Sequence, residues 1–162
     1  MTQESQEIYS LIIPMRGKTL LLPNKALAEI APFIDSEPPP AGHQPWHLGF
    51  LNWRGSRLPV ISYERIYDET SPPLERRLKM VAIINTQLGI KETPYFGIGV
   101  EGIPRLGLVT RDSIEHKDPE NIDNLHPVIA AEVIYKNREM LIPDVKELEK
   151  LIQNLTEEAT LN

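Results

Sequence analysis

The chain has 162 residues, a formal net charge of −6 and no cysteine. This length suits a single domain, and the lack of cysteine excludes disulfides, thiolate nucleophiles and cysteine-ligated metal clusters. The acidic balance argues against a general nucleic-acid-binding protein, which needs a basic stripe to displace phosphate counterions. The polar start and the absence of a long apolar run predict a cytoplasmic protein with no secretory signal and no direct membrane insertion.

The first half of the chain is predicted to contain two β-hairpins. Apolar runs at residues 8–15 and 19–22 flank a turn that contains Gly17. Residues 48–63 form the clearest hairpin, with two apolar arms on either side of the charged turn at Arg54-Gly55. Both arms carry apolar residues on both faces, so we expect this hairpin to lie between two packed layers.

Three connecting segments separate or follow these hairpins. Asn24 is expected either to cap a short helical turn before an extended segment at residues 28–34, or to begin one short helix over the same stretch. Residues 35–45 include four prolines and a glycine and are predicted to form a surface loop. Residues 64–69 are predicted to form a helical turn.

The second half is predicted to be mostly strand, with polar connections at residues 87–94 and 111–124. The predicted strands are 78–86, 95–101, 105–110 and a final hairpin of 127–135 and 139–142. A C-terminal amphipathic helix is predicted to begin at a capping Asp144. Its apolar face consists of Val145, Leu148, Leu151, Ile152 and Leu155. About nine or ten short strands and one helix favour two small β-barrels that share a core.

Histidine offers no convincing metal site. His43 and His47 have the i, i+4 spacing of a helical pair, but Pro45 between them breaks a helix. Both are therefore expected in a solvated loop, and His116 and His126 are also expected in polar loops. No metal or other cofactor is predicted.

Catalytic motifs are also lacking. Ser56 follows Gly55 in a tight turn, but the sequence has no G-x-S-x-G and no glycine-rich phosphate-binding loop. An acid–base enzyme using Glu29, Glu64 or Glu101 is an alternative that no paired motif supports. The chain is predicted to be a binding domain and not an enzyme.

Two further questions stay open from the residues alone. Arg54 at the hairpin tip can bind a carboxylate such as that of Glu29 through two parallel hydrogen bonds, or each side chain can face water alone. A small β-barrel that binds oligonucleotides or sugars is the alternative function. It would use the aromatic side chains of Trp46, Trp53, Tyr63 and Tyr67.

The run Asn52-Trp53-Arg54-Gly55, followed by Leu-Pro-Val-Ile at residues 58–61, resembles the signature N-L-R-G-x-x-x-P-V-[IV]-D-L of CheW-like coupling domains. Residues 27–30 are similar to the family's V-x-E-I segment, and residues 96–103 to a strand that ends in V-D-x-V. Residues 132–148 are similar to the closing hairpin and the start of the last helix. The resemblance covers nearly the whole chain in the family's order.

This resemblance implies a mostly β, CheW-like fold of two intertwined five-stranded SH3-like β-barrel subdomains with a C-terminal amphipathic helix. A single domain would span residues 8–158, with a subdomain seam near 69–77. Residues 1–7 would be a disordered N-terminus and residues 159–162 a short tail.

The same resemblance implies a non-catalytic adaptor that couples chemoreceptors to a CheA-type histidine kinase. The implied partners are the regulatory domain of the kinase and the cytoplasmic tip of the receptor, in membrane-associated arrays. Glu29 and Arg54 would form paired charges near the partner-binding surface, which would also include Trp53. Asn52 and Gly55 would hold the turn.

Three positions depart from the family signature. Trp53 stands where the family has leucine, Ser62-Tyr63 replaces Asp-Leu, and Glu101 replaces an aspartate. These changes predict a divergent receptor or kinase as partner, although the indole of Trp53 is equally suited to fill a core. The Leu-Leu-Leu-Pro-Asn run at residues 20–24 resembles ChpC-type proteins of the chemosensory system that controls type IV pili and twitching motility.

Overall fold

The computed structural model describes residues 7–15, 17–71, 80–90 and 93–160, and these ranges contain twelve strands and two α-helices. In chain order the strands are β1 (Ile8–Pro14), β2 (Thr19–Pro23), β3 (Leu27–Pro32), β4 (Ser36–Glu37), β5 (His47–Trp53), β6 (Ser56–Ile61), β7 (Met80–Ile90), β8 (Thr93–Val100), β9 (Arg105–Val109), β10 (Ile114–His116), β11 (Ile129–Tyr135) and β12 (Arg138–Pro143). The helices are α1 (Tyr63–Tyr67) and α2 (Val145–Thr160).

The strands form two six-stranded sheets that interlock along the chain. The first sheet has the order β10-β11-β12-β2-β1-β9 and the second has the order β3-β7-β8-β6-β5-β4. The chain leaves the first sheet after β2, completes the second sheet, and then returns with β9. Neighbouring strands are antiparallel except for the pairs β2/β12 and β6/β8. The predicted mostly β, intertwined fold is therefore confirmed.

Each sheet contains one strand more than the five that the family resemblance implies. The additional strands are β4, of two residues, and β10, of three, and each lies at the edge of its sheet. Both are short and mostly exposed, with only Ile114 of β10 half-buried, so neither has the alternating hydrophobic pattern that would mark it as a strand. Without them, each sheet has five strands.

The hydrophobic core joins the two sheets and α2. Its largest cluster includes Leu20 and Leu22 of β2, Ile61 of β6, Ile98 of β8 and Leu148 of α2. Each sheet also has a smaller cluster on its opposite face. Alternate residues of one strand therefore serve different clusters, because successive side chains of a strand point to opposite faces.

The hairpin of β5 and β6 follows this rule and lies between two packed layers, as predicted. Leu58 and Val60 contact the smaller cluster of the second sheet, whereas Ile61 contacts the shared core. The turn Arg54-Gly55 has φ values of 48° and 79°, and two positive φ angles are what a two-residue type I′ turn requires. The hairpin of β11 and β12 closes in the same way through Lys136 and Asn137, with φ values of 49° and 64°.

The predicted C-terminal helix is present and begins as expected. The Asp144 Oδ1 atom accepts a hydrogen bond of 3.2 Å from the backbone N–H of Glu147, which caps the first turn. Val145, Leu148 and Ile152 are buried, and Leu151 and Leu155 are half-buried, so the predicted face packs on the core.

Other boundaries differ from the predictions. Residues 24–26 form a 3-10 turn and β3 follows, which confirms the first of the two alternatives, but Pro23 and not Asn24 occupies the cap. The predicted polar connection 87–94 is mostly strand, because β7 and β8 continue their backbone pairing to Ile90 and Thr93. The backbone N–H of Gln87 also donates to Oε1 of Glu149 in α2, and neither contact leaves an apolar pattern in the sequence.

The predicted subdomain seam near residues 69–77 lies mostly outside the described residues, as does most of the predicted disordered N-terminus. The strands before and after the seam, β6 and β7, belong to the same sheet. The chain changes sheet instead at the 3-10 turn of residues 24–26 and at the bend of residues 101–104.

Candidate functional site

The turn at Arg54-Gly55, which joins β5 to β6, lies close to β3 at the other edge of the second sheet. In the strand order of the second sheet β3 and β5 are separated by three other strands, yet the sheet curls enough for side chains of β3 and β5 to bond. Glu29 comes from β3, Trp53 from the end of β5, and Tyr95 from β8 between them. The curl of the sheet is what assembles this cluster.

Trp53 lies at the centre of the cluster. Its indole Nε1–H donates a hydrogen bond of 2.6 Å to Oε2 of Glu29. Its ring meets that of Tyr95 edge to face, with 5.0 Å between the ring centroids. Trp53 is half-buried and packs against the smaller apolar cluster of the second sheet. Trp53 therefore fills space beside this cluster, as one of its two predicted roles requires, and also bonds a residue of β3; a role in partner binding stays a prediction.

Arg54 joins the cluster from the solvent side. Its Nη2 atom lies 3.5 Å from the same Oε2 atom of Glu29, and its Cζ atom lies 4.8 Å from the centroid of the Trp53 ring. The Arg54 side chain is 72% exposed and that of Glu29 is 40% exposed. The structure thus brings the predicted pair together. An ion pair this exposed contributes only about 0–1 kcal/mol to stability, so a gain in stability does not explain why the pair is present.

The other two predicted residues have separate roles. Gly55 provides the second positive φ angle of the turn. Asn52 lies before the turn and binds the loop instead, because its backbone N–H and its side-chain amide both donate to Asp35, at 2.8 Å and 3.2 Å.

Three further residues of this region were not predicted from the sequence to be part of the site. Arg57 forms an ion pair with Glu37 of β4, and its Cζ atom lies 3.6 Å from the centroid of the Phe50 ring. With the Asn52–Asp35 bonds, these contacts fasten the start of the proline-rich loop to the hairpin. Charges about twenty residues apart meet only through the fold, so no spacing rule finds them.

The prediction that His47 lies in a solvated loop is wrong. His47 is the first residue of β5 and only 2% exposed, with its ring edge to face against Phe50 at a centroid distance of 5.0 Å. Burial lowers its pKa to about 4, because an apolar environment disfavours the charged imidazolium. His43 does lie in the exposed loop, where its Nδ1–H donates to the Pro40 carbonyl at 3.0 Å.

The aromatic residues of the oligonucleotide or sugar alternative do not form a stacking platform. Tyr63 is fully buried and its hydroxyl donates to the carbonyl of Val128 at 2.9 Å. Trp46 and Tyr67 are half-buried and pack against the shared core. Stacking bases or sugars requires exposed ring faces, so this alternative is not favoured.

Within the described ranges, no three histidine, aspartate or glutamate side chains converge as a metal site would require. No helix of the same ranges is long and apolar enough to cross a membrane.

Two other surfaces stand out. Tyr9 of β1 is 60% exposed, and Leu106 of β9 is 61% exposed; they lie on one face of the first sheet together with Leu108. We call these three residues the edge patch. Near the start of α2, a cavity of about 580 Å³ is lined by residues of both sheets and of α2, among them Leu22, Asn85 and Lys146.

These features define a β-rich domain of two interlocked sheets with a charged and aromatic cluster at one hairpin, and the comparisons show its family. The family model of the CheW-like domain matches residues 10–152. The chain therefore belongs to the CheW-like domain family, whose members are non-catalytic coupling and scaffold proteins of chemotaxis signalling.

The fold is also similar to a solved structure, that of the scaffolding protein TtCheW from Thermoanaerobacter tengcongensis. The TM-score is 0.68, the sequence identity is 12%, and the alignment covers 91% of each chain. A comparison with curated proteins gave no match. At this identity the structural similarity shows the fold, and the roles of individual side chains have to be argued from this chain.

Proposed function

We propose that this protein is a cytoplasmic adaptor that couples chemoreceptors to the regulatory domain of a CheA-type histidine kinase. The observation that carries the proposal is the exposed cluster of Glu29, Trp53 and Arg54 at the tip of the Asn52–Gly55 signature. An exposed arginine on a rigid turn is a residue type typical of interface hot spots, and its exposed ion pair with Glu29 adds little stability. Family membership supplies the signalling context.

The two other surfaces would allow an adaptor to bind more than one partner at the same time. The edge patch is an apolar face of a barrel, suited to a second folded domain of the assembly, whereas the kinase regulatory domain is proposed to bind at the cluster of Arg54. The cavity of about 580 Å³ lies between the sheets and is open to solvent, so it suits the narrow tip of a helical receptor.

Charge reversal at Arg54 tests the proposal. Arg54→Glu should weaken binding of the kinase regulatory domain, measured by calorimetry, by at least about tenfold, because it removes the hot-spot cation and places two carboxylates together. The midpoint of thermal unfolding should stay nearly unchanged, since the Glu29–Arg54 pair is exposed.

The chain offers a matched control for this charge reversal. Lys136→Glu makes the same charge change at the same position of the other two-residue turn, with φ of 49° against 48° for Arg54. Lys136 also lies over an aromatic ring, 5.4 Å from the centroid of Tyr135. Wild-type affinity in Arg54→Glu, or equal losses in both variants, would remove this cluster from the kinase interface.

The cellular output is a separate part of the proposal. The resemblance of residues 20–24 to ChpC-type proteins supports control of type IV pili, and deletion of the gene should then impair twitching motility. A pull-down of the intact protein from its native cell should recover a CheA-type kinase or a receptor. Consistent recovery of a different partner, with neither of these present, would contradict the adaptor proposal.

A further inference from the structure

We infer that Trp53 is a positioning residue: by occupying Oε2 of Glu29 it leaves the guanidinium of Arg54 available for a carboxylate of the binding partner. The inference rests on the proposed function for the partner's identity, and on the geometry of this cluster for everything else. Trp53 would thus affect Arg54 indirectly, through its hydrogen bond with Glu29.

Two donors compete for one oxygen atom of Glu29. The indole N–H of Trp53 takes it at 2.6 Å, whereas Nη2 of Arg54 remains at 3.5 Å from the same atom. A direct fork between arginine and carboxylate has two parallel hydrogen bonds of about 2.8 Å. Arg54 and Glu29 do not make such a fork, so most of the five N–H donors of the guanidinium face solvent.

The indole is held where it can act in this way. Tyr95 packs edge to face against it, and the apolar cluster of the second sheet supports its half-buried side. Its ring in turn lies 4.8 Å from Cζ of Arg54, a distance at which an aromatic face attracts a cation. The ring therefore holds the guanidinium in position, and the N–H groups of Arg54 stay available for hydrogen bonds.

The chemistry of the partner follows from the exposed donors. A planar guanidinium with free N–H groups binds a carboxylate through two parallel hydrogen bonds, and it does so more strongly where a neighbouring aromatic ring excludes water. The chain as a whole has a charge of −6, so Arg54 is a positive point on an acidic molecule. An Asp or Glu side chain beside an apolar residue is the complementary group.

The experiment uses rescue to separate positioning from simple contact. Trp53→Phe keeps an aromatic ring but removes the N–H, which frees Glu29 to bind Arg54 directly. Affinity for the kinase regulatory domain, measured by calorimetry, should fall about tenfold. Adding Glu29→Gln removes the competing charge, so the double variant should recover to within about threefold of the wild type.

The affinities of the single and double variants distinguish positioning by Trp53 from direct contact with the partner. Wild-type affinity in Trp53→Phe would overturn it, and so would a loss that Glu29→Gln does not rescue, because Trp53 would then contact the partner directly or act only in folding. Glu29→Gln alone keeps an amide oxygen that still accepts the indole N–H, so its loss of affinity should be smaller than that of Trp53→Phe. A loss in that variant as large as in Trp53→Phe would also overturn the inference.

A second readout does not need the kinase. In NMR spectra of the free protein, exchange of the Arg54 side-chain N–H protons with water should slow in Trp53→Phe, where Glu29 binds them, and return toward the wild-type rate in the double variant. Unchanged exchange in Trp53→Phe would refute the positioning role. If the wild type does not bind the kinase domain while the exchange slows as expected, the proposed function fails and the positioning role stands.

Discussion

At the scale of single residues, burial and bonding decide what each polar group does. Glu29 and Arg54 were predicted as candidates for a pair, but their contact depends on the curl of a five-strand span and could not be derived from a separation of 25 residues. The Trp53–Glu29 bond had no sequence signal at all. His47 was mispredicted because the proline-rich stretch before it suggested a loop, whereas the strand begins at His47 itself.

His47 should make the protein less stable in acid. Its pKa is about 4 in the folded chain and 6.5 when exposed, so between these values the unfolded chain binds a proton that the folded chain does not. The free energy of unfolding therefore falls as the pH falls from 6.5 to 4. We expect His47 to account for a loss of about 2–3 kcal/mol between pH 7.5 and 4.5, measured by urea unfolding.

A variant isolates this contribution from that of the carboxylates. His47→Leu places an apolar side chain at the buried position and removes the titrating group, so its loss of stability over the same pH range should be smaller by that amount. Equal losses in the variant and the wild type would show that the imidazole titrates normally in the folded protein.

At the scale of secondary-structure elements, long apolar strands were predictable and short polar ones were not. The hairpins of β1/β2, β5/β6 and β11/β12 each have an apolar pattern and a turn signal. The edge strand β4 has neither, and it exists because β5 offers it a free backbone edge and because Arg57 binds Glu37. Backbone pairing of this kind leaves no pattern in the sequence of the edge strand, so the strand can be recognised only once the position of its neighbour is known.

Gly49 is the residue that allows β4 to approach β5. Its φ is 118°, and a Cβ atom there would lie 2.1 Å from the carbonyl oxygen of Glu37. Gly49→Ala should therefore lower the free energy of unfolding by about 2–4 kcal/mol, through a backbone clash and a strained φ together. Chemical denaturation measures this loss.

Gly42, in the loop between β4 and β5, provides a control. It also has a positive φ, of 77°, but a Cβ atom there would meet nothing within 4 Å. Gly42→Ala should cost only about 1 kcal/mol, the strain of a left-handed conformation in a non-glycine residue. Similar costs in the two variants would show that contact between β4 and β5 is not what requires glycine at position 49.

At the scale of the whole molecule, the family signature predicted the architecture and the residue patterns alone predicted only its class. Strand count and proline content indicated small barrels, but not the order β10-β11-β12-β2-β1-β9, because the parallel pair β2/β12 joins strands from the two ends of the chain. A core shared by both sheets, as in the cluster of Leu20, Ile98 and Leu148, makes the two halves one cooperative unit.

Tyr63 tests this cooperativity, because its buried hydroxyl links α1 to the carbonyl of Val128 before β11. Tyr63→Phe removes one buried hydrogen bond and should lower the free energy of unfolding by about 1 kcal/mol. Unfolding followed by tryptophan fluorescence, which reports the region of Trp46 and Trp53, should still coincide with unfolding followed by far-ultraviolet circular dichroism.

The exposed hydroxyl of Tyr9 gives the matched comparison, and Tyr9→Phe should leave the stability unchanged. Separate fluorescence and dichroism midpoints in the Tyr63 variant would contradict a single cooperative unit.

The departure of the chain from the first sheet after β2 sets an order for folding on the ribosome. The β1/β2 hairpin is synthesised first, but its neighbours in the sheet are β9 and β12, and Leu20 pairs with Leu141. At about 5–20 residues per second, a nascent chain exposes both edges of this apolar hairpin for on the order of 10 s. The second sheet, contiguous in sequence, is complete before then, so the first sheet closes last and around an already formed neighbour.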